Sequence, residues 1–199
     1  MPRARTVLRP ALGLSVLVLL AGPWIQAAPV PETERIPVDL RRTTLVVRDL
    51  ERSLPLYRDA LGLKVIYDQI LRDESRGKPG VPVTRLVLLR ANDDFVGVLG
   101  LMQRLNLTEP APPPIFRRAA PGEIILVFNV QDLEIRFERL QATPGLRIAE
   151  APRRIDYPGP GGTTIPVLFS AVWDADGHFV ELNRLLGTPA GVTPKETPR

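Results

Sequence analysis

The sequence predicts an α+β fold made of two βαβββ modules, and three observations lead to it. Seven residue pairs recur at one offset of 83 positions: Val47/Val130, Asp49/Asp132, Leu50/Leu133, Glu51/Glu134, Gly62/Gly145, Leu63/Leu146 and Val65/Ile148. Within each copy the hydrophobic period changes from a β-branched run to a helical stripe. Three strand-like runs then follow in each copy. A two-copy fold tends to build its site where the copies face each other, so chemistry is sought there first.

The first 28 residues stand outside this fold. Arg3, Arg5 and Arg9 precede an apolar stretch over 11–25, and Gln26-Ala27-Ala28 offers small residues for cleavage. This is the layout of a secretory signal peptide, so export to the periplasm or medium is expected. The competing reading is an uncleaved anchor, but the stretch is short of the roughly 20 residues a bilayer needs, and Gly22-Pro23 interrupts it. No cysteine follows, which excludes lipid attachment at a new N-terminal Cys.

The folded domain spans 36–186, with module one at 38–104, a linker at 105–121 and module two at 122–186. In module one, 42–48 (RTTLVVR) reads as a strand, and Leu50, Leu54, Tyr57 and Leu61 form an i, i+4, i+7, i+11 stripe. Asp49 stands where strand gives way to helix, which suits an N-cap. Gly62 follows the helix, where a left-handed residue is wanted. Strands are expected at 63–70, 84–90 and 95–103. Module two repeats the order: strand 124–130, N-cap Asp132, stripe Leu133, Phe137 and Leu140, Gly145, then strands at 146–154, 165–173 and 178–185.

Three segments read as irregular. Residues 72–82 are a charged Gly/Pro loop, and 187–199 form a disordered tail with little to pack. The linker carries Pro110, Pro112, Pro113 and Pro114; it reads as a connector or as a strap over the site with Ile115-Phe116 as its foothold. The run Asp174-Ala175-Asp176-Gly177 resembles the start of a calcium loop, but the later glycine-to-glutamate spacing is missing. It reads instead as a hairpin turn with Gly177 at positive φ, followed by His178 at the surface. The charged helix residues (Glu51, Arg52, Arg58, Glu134, Arg136, Glu138, Arg139) read as solvated faces, and Tyr57 as packing.

Charge and cysteine content narrow the function classes. The chain carries 26 basic and 22 acidic side chains. Without the three leader arginines the count is 23 against 22, so the mature protein is near neutral. Neither nucleic acid nor, after signal cleavage, a membrane surface is expected as a partner. With no cysteine there is no disulfide, thiol nucleophile or thiolate metal site, a composition compatible with an oxidising compartment. No Ser-His-Asp arrangement, phosphate-binding Gly loop or dinucleotide fingerprint is present.

The run TTLVVRDLERSLPLYRDALGLKVIYD over 43–68, with FSAVWDADGHFVELNR over 169–184, resembles the vicinal oxygen chelate superfamily of glyoxalase I, extradiol dioxygenases, fosfomycin-resistance enzymes and bleomycin-resistance proteins. The resemblance implies that the two modules pair into a curved sheet around a cleft, with a helix backing each half. It does not choose a reaction, because this scaffold hosts lyases, dioxygenases, transferases and plain binding proteins. In metal-using members it would place ligands at four positions, here Arg42, about Gly100, Ile125 and Glu181. Glu181 alone could bind a metal. The single histidine, His178, is three residues from Glu181, and residues three apart on a strand point to opposite faces. A mononuclear site wants three or four converging N/O ligands, so no cofactor is expected, with a divalent metal at Glu181 as the open alternative.

Ligand binding is expected at Arg42, Thr44, Asn129 and Glu181. Alternation puts Glu181 on one face with Phe179 and Asn183, the concave face by the resemblance, and also makes it the candidate catalytic residue. Arg42 is expected either to pair with Glu181 in place of a metal cluster or to hold a carboxylate or phosphate of the ligand with its planar guanidinium. Thr44 shares the Arg42 face, and Asn129 lies on the Ile125-Val127 face of module two. The function expected is metal-independent binding of a small organic ligand in the inter-module cleft, by a monomer or homodimer. Two alternatives stand beside it: a metal-assisted lyase or isomerase of glyoxalase type in which Glu181 removes a proton, and an accessory interaction protein whose cleft has closed.

Overall fold

The computed structural model describes residues 31–73, 80–107, 112–117 and 119–187. The expected signal peptide, the middle of the 72–82 loop, parts of the linker and nearly all of the tail therefore lie outside the described residues. Two compact units are present, Met1–Arg35 and Ile36–Arg199. The described part of the first holds a 3-10 turn, Glu32–Glu34; everything below belongs to the second.

The second unit repeats strand, helix, strand, strand, strand. Module one comprises β1 (Arg42–Val47), α1 (Leu50–Leu54), β2 (Lys64–Asp73), β3 (Val81–Arg90) and β4 (Val98–Arg104). Module two comprises β5 (Ile125–Asn129), α2 (Leu133–Gln141), β6 (Arg147–Pro158), β7 (Thr164–Trp173) and β8 (Phe179–Leu185). Each module makes one four-stranded sheet, in the orders β1-β4-β3-β2 and β5-β8-β7-β6. The first and last strands of each copy pair in parallel and the others antiparallel. Among the described residues no ladder joins the two sheets, so the expected curved sheet is two sheets that meet through side chains.

Both helical stripes bury as their spacing predicts. Leu50, Leu54, Tyr57 and Leu61 are buried, as are Leu133, Phe137 and Leu140, and one core cluster draws on both modules. Each such side chain contributes about 1.5–3 kcal/mol of transfer free energy. That shared core makes the modules one folding unit.

Several local expectations need correction. The first helix is α-helical only to Leu54 and continues as a π segment, Pro55–Ala60, in which Leu61 N–H donates to the Leu56 carbonyl. Pro55 has no N–H for the Glu51 carbonyl, so the α ladder cannot run through it. Asp49 caps as expected, accepting from Glu51 N–H at 2.9 Å. Asp132 does not cap, because Arg136 one turn on takes its carboxylate (Nε–Oδ1, 2.7 Å). The fourth strand begins at Val98 rather than 95, since the Asp93 carboxylate draws the N–H groups of Phe95 and Val96 into a turn.

Candidate functional site

Alternation along β7 and β8 builds a pocket on the second sheet. Phe169, Ala171 and Trp173 face the same way on β7, and Phe179 and Glu181 on β8. The register sets Ala171 opposite Glu181 and Trp173 opposite Phe179. Trp173 meets Phe179 edge to face, with centroids 5.7 Å apart. On β6 the pairing slips between Ile148 and Glu150 and again between Glu150 and Arg153. Such bulges re-aim side chains, and here Ala149, Glu150 and Arg153 all line the pocket. Ile125 of β5 and Ala119 of the linker complete a cavity of about 360 Å³.

The linker crosses this region as a strap. The Trp173 indole N–H donates to the Arg117 carbonyl at 2.9 Å, Phe116 packs on Trp173, and the Arg147 guanidinium lies 4.0 Å from the Phe116 ring centroid. Arg48 holds the strap's other end through the Pro112 carbonyl (2.7 Å). Phe116 is the half-buried foothold that the strap reading requires, whereas Ile115 is exposed.

The pocket's charged groups are unevenly satisfied. Arg153 pairs with Glu150 (Nε–Oε2, 3.3 Å) and reaches over the Phe169 ring. Glu181 is half-buried and has no hydrogen bond or ion pair among the described residues. Two residues on, and opposite Phe169 in the ladder, Asn183 has a buried Oδ1 with no hydrogen-bond partner.

The residues expected to form one site are distributed differently. Glu181 lines the pocket. Arg42 is exposed at the start of β1, beside Val98 in the ladder, and makes no ion pair with Glu181; the postulated pair is absent because nothing on the first sheet reaches into the second sheet's pocket. Asn129 lines a separate cavity of about 280 Å³ where Leu61–Leu63 and Asn92 of module one face Gln131, Asp132 and Arg136 of module two. Thr44 lies beside Gly100 on the parallel β1–β4 pair.

Thr44 also explains why Gly100 is glycine. A Cβ there would stand 2.7 Å from Thr44 Oγ1 and 3.2–3.3 Å from its Cγ2 and Cβ. Threonine is stiff at χ1, so the contact cannot be relieved by swinging a long side chain away. Gly100→Ala is expected to lower stability by about 1–2 kcal/mol in urea unfolding, and Thr44→Ala in that background to return most of it. A neutral Gly100→Ala would contradict this packing.

These facts bear on a metal. The four positions implied by the resemblance present a guanidinium, a glycine whose side-chain space Thr44 fills, an isoleucine and one carboxylate. Among the described residues no three His, Cys, Asp or Glu side chains converge. This donor set does not fit a divalent ion.

The hairpin at 174–178 is the part of the structure least anticipated from sequence. Asp174 N–H donates to the His178 carbonyl and Gly177 takes φ +91°, as a tight turn requires. Asp174 itself is fully buried and accepts from Tyr57 Oη (2.8 Å), from the N–H groups of Asp176 and His178, and lies 2.9 Å from His178 Nδ1. Its neighbour Asp176 accepts from Arg48 N–H and from Ser53 Oγ. The turn therefore docks module two onto the first helix of module one. Arg136 ties the other side, donating to the Leu61 carbonyl at 2.6 Å, so it is a bridge and not a solvated charge.

Burial alone would raise the Asp174 pKa, but the hydrogen bond and charge of His178, the Tyr57 hydroxyl and the His178 N–H outweigh it and hold the carboxyl below its ordinary value. Burial lowers that of His178, yet the Asp174 bond and charge and the Asp176 charge leave it raised, against some opposition from Arg48. Burial first, then Asp174, pushes the Tyr57 phenol well up, so it remains a donor.

Comparison with known proteins adds the following. A family model described as Glyoxalase/Bleomycin resistance protein/Dioxygenase superfamily matches residues 39–182. Comparison with curated protein sequences finds no match. Among solved structures, a glyoxalase family protein from Bacillus cereus is similar with TM-score 0.59 at 14% identity, over 79% of this chain and 100% of that one. A glyoxalase I variant from Zea mays is similar with TM-score 0.49 at 24% identity, over 73% of this chain and 45% of that one. The Bacillus cereus likeness carries the fold.

Proposed function

Because the chain belongs to the glyoxalase/bleomycin resistance protein/dioxygenase superfamily, we propose that it binds a small organic ligand in the second sheet's pocket, as an exported protein and without a divalent metal. One observation carries this reading: a cavity of about 360 Å³ stands open between aromatic walls, lined by a Glu181 carboxylate that has no partner among the described residues. Pockets of this size with few convergent polar groups are typical ligand sites. The open cavity also weighs against the closed-cleft accessory protein. Export rests on Arg3, Arg5 and Arg9 before the apolar run 11–25.

A proton-abstracting enzyme would need the same Glu181 carboxylate, and its absence of partners favours that second reading to this extent. Enolate stabilisation would then fall to Arg153, which already pairs with Glu150, so binding without turnover is the better-supported function.

The test is metal content by mass spectrometry on protein purified without a metal-affinity tag, before and after incubation with Zn, Ni, Mn or Fe(II). It is combined with a thermal-shift screen of small organic compounds, with and without a chelator. We expect no stoichiometric metal and saturable shifts that the chelator leaves unchanged. Near-stoichiometric metal that is lost in Glu181→Ala would overturn the metal-independent reading.

A further inference from the structure

We propose that the pocket is built for an organic cation, an amine or quaternary ammonium group carried on a compact apolar body. This rests on the reading of the pocket as a binding site and adds the chemical class of its ligand.

The charge left unanswered in the lining is an acceptor. Among the described residues the Glu181 carboxylate has no hydrogen bond or ion pair. A half-buried carboxylate gains from a counter-charge and from donors that reach it. A ligand that brings N–H donors and positive charge supplies both. One that brings a carboxylate or phosphate supplies neither and meets Glu181 as a like charge.

The surrounding walls suit the same class. Trp173 and Phe179 stand edge to face against each other and line the pocket with Glu181, while the Phe169 ring carries the Arg153 guanidinium. Aromatic faces attract cations by their quadrupole, most strongly for tryptophan. The one cationic side chain in the lining, Arg153, is answered by Glu150 (3.3 Å), so the lining carries one net negative charge, that of Glu181. This pocket is built on the second sheet and the linker, with Arg42 absent from its lining, so the guanidinium expected to hold an anionic ligand is not available there.

Isothermal titration of the full chain with three probes of one shape would test this: benzylamine, benzyl alcohol and benzoate, with benzyltrimethylammonium as a cation that cannot donate hydrogen bonds. We expect benzylamine to bind at least 10-fold more tightly than benzyl alcohol and benzoate to bind weakest. In Glu181→Gln the amine's advantage over the alcohol is expected to vanish, while the thermal midpoint stays unchanged. Tighter benzyltrimethylammonium than benzyl alcohol, lost in Trp173→Leu, would support the aromatic contribution. Equal binding of all probes would overturn the cation class yet keep the small-molecule site. A preference for benzoate that disappears in Arg153→Gln would overturn it in favour of anions. No binding of any probe would count against both the cation class and the binding function.

Discussion

Replacing Asp174 with alanine is expected to lower the unfolding free energy by about 3–5 kcal/mol, the range for removing one partner from a buried ionic contact. Its carboxylate is fully buried and serves four donors: two backbone N–H groups, the Tyr57 hydroxyl and His178. Alanine leaves the Tyr57 hydroxyl buried with no acceptor and the turn's N–H groups unpaired at once. Tyr57→Phe removes a single bond and is expected to cost about 1–2 kcal/mol, with the two changes strongly non-additive. Urea unfolding would measure both, and a loss below about 1 kcal/mol for Asp174→Ala would sink the view of this turn as an inter-module anchor. The same cluster makes stability depend on pH. Asp174 has a lowered pKa, so its contribution is present above the unfolded value of about 4 and is lost as pH falls through the folded one. His178 has a raised pKa, so its contribution is complete below about 6.5 and is lost as pH rises through the folded one. The mildly alkaline part of the stability decline should be missing in His178→Gln.

Gly177→Ala should cost about 3 kcal/mol, the sum of two separate strains. The residue sits at φ +91°, which L side chains rarely adopt, and a Cβ there would stand 2.7 Å from the Ile115 carbonyl oxygen of the strap. Since that contact is with backbone, rotamer changes cannot relieve it. Either the turn or the strap must move, and the turn is held by the hydrogen bonds of Asp174 and Asp176. We therefore expect the Trp173 indole N–H, bonded to the Arg117 carbonyl in the native protein, to exchange with solvent far faster in this variant. Retained protection of that proton, followed by NMR, would show that the strap does not depend on Gly177.

The architecture was legible because it is encoded locally and twice. The Leu50-Leu54-Tyr57-Leu61 stripe could bury only as a helix, and Asp49 and Gly62 bracket the first helical segment, whereas the second ends at Gln141, before Gly145. The π segment was not legible, although Pro55 was its visible cause. The face on which Glu181 meets the pocket was legible because alternation along one strand predicts it. Trp173 and Phe169 were missed although the same alternation along β7 runs through them, since the register that sets them opposite Phe179 and Asn183 is a property of two strands. Glu150 and Arg153 carried no signal, for the bulges that turn them inward break the period on which sequence reading depends.

By itself, then, the sequence determined the element order, the duplication and the buried helical faces, because each depends on residue type and short-range period. Only the tertiary structure decided where those pieces act. It set the pocket that Glu181 lines on one sheet and left Arg42 and Asn129 outside that lining. It also turned an ordinary-looking hairpin aspartate into the buried tie between the modules, with Tyr57 as its partner 117 positions earlier. The physical reason is that hydrogen bonding and burial join residues distant in the chain, and these depend on register, bulges and packing that no local window contains.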